Sequence, residues 1–180
     1  MKVVAISGSP HVNGNTHRLI DEALKELAAQ GMQIESISLG EHPIAPCLGH
    51  EDCGTLKACR IKDDATGIIK KYNDADAVIL GSPVYFLDVT AQMKAFIDRN
   101  FFTFTHEGIK KAKIAGLIAI GGSAGAEATI NTLKAFTFLP KEDVFIVTGY
   151  TRDGDIKDLP ELLQLAREMG KKMAARLTGK

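Results

Sequence analysis

The sequence predicts an α/β protein: a doubly wound, five-stranded parallel sheet in three layers, with helices on both faces. Three observations predict it. Short β-branched runs alternate five times with longer stretches of helical periodicity. Runs such as Val3 to Ile6 and Ala77 to Leu80 are continuously apolar, as expected of strands buried on both faces. Finally, 180 residues with 45% hydrophobic and 24% charged side chains suit one globular domain over 1–180.

The elements follow in order. Val3-Val4-Ala5-Ile6-Ser7 reads as the first strand. Over 16–30, Leu19, Ala23, Leu24, Leu27 and Ala28 recur at helical spacing, and Gly31 supplies the stop. Residues 33–39 alternate as a second strand. Asp63 or Asp64 can cap a helix to about Asn73, and Ala77-Val78-Ile79-Leu80 is a third strand closed by Gly81-Ser82-Pro83. Helix is expected over 90–99, strand over 113–120, helix over 126–138, strand over 143–148 and an amphipathic helix over 159–177. Residues 40–62 break the rhythm as a long connection holding all three cysteines, and loops of that length are usually functional.

Charge and length exclude several classes. Lys+Arg and Asp+Glu both number 22, so the broad basic surface of a nucleic-acid binder is absent. No apolar stretch is long enough to cross a membrane, and Val3 to Ile6 is too short for a signal-peptide core. A cytoplasmic protein is expected, whose cysteines are metal ligands or redox groups rather than disulfides. The basic stretch 108–113 reads as a solvated turn.

The chemistry concentrates at strand ends. The first strand runs into Ser7-Gly8-Ser9-Pro10-His11-Val12-Asn13-Gly14-Asn15-Thr16, with a helix directly behind. Small residues let the backbone approach an anion, and Ser9, Asn13, Asn15 and Thr16 add donors, a combination that suits a phosphate. The alternative is a plain capped turn. Neither the Gly-Lys-Ser/Thr nucleotide loop nor the glycine triplet of dinucleotide folds is present. The third strand delivers Pro83-Val84-Tyr85-Phe86 and the fourth Gly121-Gly122-Ser123, so a flat ring can lie between them, although Tyr85 and Phe86 also suit ordinary packing.

Together these segments resemble the flavodoxin-like NADPH-dependent FMN reductases. By that resemblance, Ser9, His11, Asn13, Asn15 and Thr16 hold the FMN phosphate. Pro83, Val84, Tyr85 and Phe86 line the isoalloxazine, and Gly121, Gly122 and Ser123 its other side. His11 stands where the family usually has Arg, which weakens charge neutralisation, and Gly125-Ala126 replaces a second glycine pair.

Cys47, His50, Cys53 and Cys59 read as Cys-x2-His-x2-Cys-x5-Cys. This segment is similar to the compact four-cysteine motif of the iron–sulfur flavoproteins within the family, with His50 in the second cysteine's place. The resemblance implies a 4Fe-4S cluster exchanging electrons with FMN. The donor set also suits structural zinc, and a loop of free or redox-active thiols is the third alternative. Glu51 and Asp52 read as a solvated corner.

The resemblance further implies an NAD(P)H or ferredoxin-type donor and a homo-oligomer, dimer or tetramer. His17 and His42 read as surface histidines. The aromatic connection 101–106, with His106, reads as a subunit interface in preference to a lid over the flavin edge. No catalytic acid or base is expected. A clusterless NAD(P)H:FMN or quinone reductase and a non-enzymatic phosphate-ligand carrier are the alternative functions.

Overall fold

A computed structural model describes residues 1–107, 111–152 and 154–179. The chain runs β1 (Lys2–Ser7), α1 (Asn15–Ala29), β2 (Gln33–Ser38), α2 (Ala65–Asn73), β3 (Ala77–Pro83), α3 (Ala91–Arg99), α4 (Phe101–Glu107), β4 (Ile114–Gly121), α5 (Ala126–Thr137), β5 (Val144–Tyr150) and α6 (Pro160–Thr178). The strands lie in the order β2-β1-β3-β4-β5, every pair parallel. That order is the flavodoxin-like one, and its switch point falls between β1 and β3.

Alternation along each buried strand sorts the side chains into two cores. Val4, Ile6, Val78, Leu80, Leu117 and Ala119 face α2, α3 and α5. Val3, Ala5, Ile79 and Ile118 face α1 and α6. On the first side Tyr72, Phe96 and Phe136 pack with ring centroids 5.3 to 5.8 Å apart, tying together α2, α3 and α5. Burying each ring contributes about 2–3 kcal/mol. On the other side α1 and α6 pack so closely that a Cβ at Gly170 would lie 2.4 Å from the Ala23 carbonyl oxygen.

One element departs from the sequence reading. Residues 101–107 are not an open connection but helix α4. The Asn100 carbonyl accepts from Phe104 N at 2.9 Å, so helical bonding resumes directly after α3. Of the basic stretch, Gly108, Ile109 and Lys110 lie outside the described residues. Lys111 is largely exposed and pairs with Asp76 at 3.0 Å, in line with a solvated turn. Among the described residues no helix is long and apolar enough to cross a membrane.

Candidate functional site

The first loop is held by backbone and small side chains. Gly8 N donates to the Gly81 carbonyl at 2.7 Å, joining the ends of β1 and β3. A Cβ at Gly8 would lie 2.7 Å from Met93 Cβ, so the chain passes α3 only because this residue is glycine. Thr90 caps α3 by accepting from Met93 N at 3.2 Å, and its hydroxyl donates to the Gly8 carbonyl at 2.6 Å. Ser9 Oγ accepts from His11 N and donates to the His11 carbonyl, both at 3.1 Å. Gly14 N returns to that same carbonyl. The turn therefore delivers the chain to α1, which starts without a side-chain cap or a first-turn acidic residue. Its leading N–H groups and dipole present positive potential to whatever enters the cleft.

Three strand-end loops meet in one cleft of about 220 Å³. Of the residues expected from the sequence, Ser9, His11, Asn15 and Thr16 line it from the first loop. Pro83, Val84 and Tyr85 line it from the second, and Gly121 and Gly122 from the fourth strand. Asn13, Phe86 and Ser123 do not line it. Asn13 lies on the exposed outside of the turn, and Ser123 lies beyond the glycine pair, also exposed. Phe86 is fully exposed at the tip of a tight turn closed by Tyr85 N to the Asp88 carbonyl at 2.9 Å. Phe86 and Leu87 there have φ of 46° and 74°, a left-handed pair that costs bulky residues strain. Gly125, at φ +87°, sits beneath this turn, and a Cβ on it would lie 2.6 Å from Leu87 Cα.

The structure adds lining residues that the sequence reading missed: Gly14, Ile120 and Thr151. Thr151 follows β5, and its N–H donates to the Gly121 carbonyl at 3.0 Å. Its only sequence signal was its place at the same sheet edge. Asn15 lines the cleft and also makes contacts far along the chain. Its Oδ1 accepts from Ile156 N at 3.0 Å and its Nδ2 donates to the Gly154 carbonyl at 3.3 Å, so the amide tethers the 154–156 loop to the cleft.

His17 corrects the surface assignment. It is buried, its Nδ1 lies 3.2 Å from Ser7 Oγ, and burial lowers its pKa, so it stays neutral at pH 7. The first helical turn faces β1, and position 17 therefore points inward. His42 is half-exposed and pairs with Asp64 at 2.9 Å, as a surface histidine does.

The cysteine loop lies on the α2–α3 side of the sheet and is organised by Arg99, a residue the sequence reading did not single out. Arg99 is buried in the last turn of α3. Its guanidinium pairs with both Asp63 oxygens at 2.6 and 3.0 Å and donates to the Ala45 carbonyl at 3.0 Å. Nη2 also reaches Cys59 Sγ and the Ile61 carbonyl, each at 3.5 Å. Burial pushes the Asp63 carboxyl up, but the bonds from Arg99 and from the Ala45 and Ala65 N–H groups outweigh it and hold the pKa below the usual range. Helix α4 seats on the loop, with His106 Nε2 2.8 Å from the Leu56 carbonyl. None of 101–106 lines the strand-end cleft, so α4 is not a lid over it.

Donor chemistry and geometry disagree in this loop. Three thiols and an imidazole suit a cluster or zinc. Yet Cys47 is exposed, Cys53 buried in a short 3₁₀ turn, Cys59 half-buried beside Arg99 and His50 half-buried. Among the described residues no three His, Cys, Asp or Glu side chains come together as a metal site. The strand-end cleft, in contrast, fits a phosphorylated flat ring: an uncapped helix start at one end and small or planar residues at the other.

Comparison with known proteins shows the family. The profile of the NADPH-dependent FMN reductases matches residues 1–152. An iron–sulfur flavoprotein of Methanocaldococcus jannaschii is 38% identical over 97% of this chain and 96% of its own. One from Archaeoglobus fulgidus is 36% identical over 97% of this chain and 79% of its own. Among solved structures, an NAD(P)H:quinone oxidoreductase from Methanothermobacter marburgensis superimposes with a TM-score of 0.73 at 17% identity, covering 96% of each chain. The last shows a shared fold.

Proposed function

The chain belongs to the NADPH-dependent FMN reductase family and is an FMN-dependent oxidoreductase, and from that premise we propose that it reduces FMN in the strand-end cleft with NAD(P)H as donor. The observation that carries this is the convergence of three loops, from β1, β3 and β4, in one cleft headed by an uncapped helix. When bound, FMN supplies hydride acceptance and one- or two-electron release. The chain's residues position it. The α1 N-terminus, Ser9 and Thr16 take the phosphate, Asn15 keeps the 154–156 loop against it, and Pro83 to Tyr85 and Gly121-Gly122 flank the ring. Among the described residues lining the cleft none is a carboxylate or a lysine, and a hydride donor stacking on the ring needs no side-chain acid. Anaerobic mixing of the FMN-loaded protein with NADH or NADPH tests the reading. Bleaching of the flavin band supports it; protein that cannot be loaded with FMN, or flavin unchanged by either donor, overturns it.

A second reading adds electron exchange with an iron–sulfur cluster on Cys47, His50, Cys53 and Cys59. The names of the two relatives and the donor set favour it, and the scattered placement of these side chains opposes it. Iron, zinc and acid-labile sulfide assays on anaerobically purified protein decide: stoichiometric iron and sulfide favour the cluster, zinc without sulfide a stiffened loop, and neither metal a clusterless reductase. Homo-oligomerisation, which family resemblance implies, belongs to the same proposal, and sedimentation at micromolar concentration checks it.

A further inference from the structure

His17 is a buried titratable side chain that does not line the strand-end cleft, and the flavin chemistry above makes no use of it. It sits in the first turn of α1, behind the loop that joins β1 to that helix. Ser7 Oγ, fully buried at the end of β1, lies 3.2 Å from His17 Nδ1 and accepts from Ser9 N at 3.3 Å. Ser9 thus occupies the Ser7 oxygen, and the hydroxyl hydrogen has Nδ1 as its acceptor. That fixes the tautomer, with the lone pair on Nδ1 and the hydrogen on Nε2. The ring also bonds the backbone of His11, whose carbonyl accepts from Ser9 Oγ and Gly14 N, each at 3.1 Å. Asp21 and Glu41 act on the ring in favour of the imidazolium, but burial outweighs both, so Nδ1 remains an acceptor at pH 7.

The start of α1 has little else to hold it. Its N-cap, Gly14, has no side chain, and Asn15 reaches away to residues 154 and 156. Among the described residues, the side-chain hydrogen bond from the first turn of α1 to β1 is that of His17 to Ser7. The loop over 8–14 and the leading N–H groups of α1 form the phosphate end of the cleft, and this bond sets one against the other. The ring end is built differently. Pro83 to Tyr85 and Gly121-Gly122 hang on β3 and β4, which His17 does not bond.

We infer that His17 is the positioning residue for the phosphate end of the cleft, and that through Ser7 it sets the preference for FMN over riboflavin. The inference rests on FMN being bound in the strand-end cleft. Without an acceptor on α1 the Ser7 hydrogen turns elsewhere, Ser9 N loses its fixed partner, and the loop shifts against the helix start. A phosphate held by several donors at once is sensitive to such a shift. The isoalloxazine, bound by other loops, is not.

Flavin fluorescence titration of the full chain, freed of flavin, with FMN and separately with riboflavin tests this. The readout is the ratio of the two affinities. His17→Leu should lower that ratio by about fivefold, with riboflavin affinity unchanged within about twofold. His17→Asn places an amide oxygen where Nδ1 stands and should restore the ratio to within about twofold of the unaltered protein. Ser7→Ala removes only the hydroxyl that His17 holds, should lower the ratio by about threefold, and decides by the same readout where His17→Leu fails to fold. Equal loss of both flavins, an unchanged ratio in His17→Leu or Ser7→Ala, or His17→Asn no better than His17→Leu would each overturn the inference while leaving the flavin cleft in place. Unaltered protein that takes up neither flavin overturns the cleft reading and the inference with it.

Discussion

At the strand-end cleft each loop is hung directly on a strand, and its ligand groups are mostly backbone. At the cysteine loop, residues 45–63 are gathered by side chains, with one buried guanidinium reaching Ala45, Cys59, Ile61 and Asp63. The first region inherits its precision from the sheet. Gly8 is bonded to Gly81 because β1 and β3 are already paired, in register from Val3 with Ala77 to Ser7 with Gly81. The second has a single short 3₁₀ turn among its described residues, so its shape rests on a few long-range contacts. Sites on strands tolerate loss of one side chain, whereas a loop closed by one residue does not.

The largest test of that contrast is Arg99→Met. Breaking a buried pair leaves the Asp63 carboxylate without its cation, held only by the Ala45 and Ala65 N–H groups, and a loss of about 3 kcal/mol in urea unfolding is expected, with new tryptic cleavage inside 45–63 and unchanged FMN affinity. Arg99→Lys should recover only part, since one ammonium cannot reproduce the bidentate fork. Equal stability of Arg99→Met and the unaltered protein would remove the contrast. The same pair predicts an acid limit. Asp63 has a lowered pKa in the folded state, so its stabilisation is full above its unfolded value of about 3.8–3.9 and is lost as pH falls through the lower folded value. Proteolysis confined to the loop below about pH 4 is the expected signature.

Next in size is Gly125→Ala. The new Cβ meets Leu87 backbone at a positive φ, and neither can yield cheaply. About 2 kcal/mol of stability and about tenfold in FMN affinity should be lost, read by denaturation and by flavin fluorescence quenching. Ser9→Ala comes third. The loop keeps its strand anchors and loses one hydroxyl, so FMN binding should weaken by about fivefold with little change in stability. A loss of folding on Ser9→Ala would mean that the first loop is as dependent on single side chains as the second.

The smallest effect is at His17. Its pKa is lowered by burial, so the unfolded chain takes up a proton that the folded chain refuses. Stability from this residue is full above the unfolded value of about 6.5 and declines as pH falls below it. His17→Gln should flatten that part of the stability profile between pH 7 and 5, measured by thermal unfolding.

How much was legible follows the same division. The five strands, their order of connection and the three cleft loops are written in contiguous residues: continuous apolar runs, helical spacing and glycine at the turns. Of the twelve residues that the sequence places around the flavin, Asn13, Phe86 and Ser123 do not line the cleft, and they sit at loop tips where one residue of turn geometry decides the direction. Asn15 lines the cleft as its residue type suggests, while its bonds to residues 154 and 156 lie far along the chain and leave no local signal. His17 is buried because the first turn of α1 packs on β1, which its place at a helix start does not reveal.

By itself the sequence determined the parallel five-stranded fold, the small-residue turn between β1 and α1 and the presence of four soft donors in one long segment, because each rests on neighbours in the chain. Only the tertiary structure decided that α4 closes over the cysteine loop, that Arg99 holds Cys59 and Asp63 from 40 and 36 residues away, and that the four donors are not gathered among the described residues. The physical reason is that a buried charge needs a partner wherever the fold can bring one, and spacing along the chain carries no record of which residue that is.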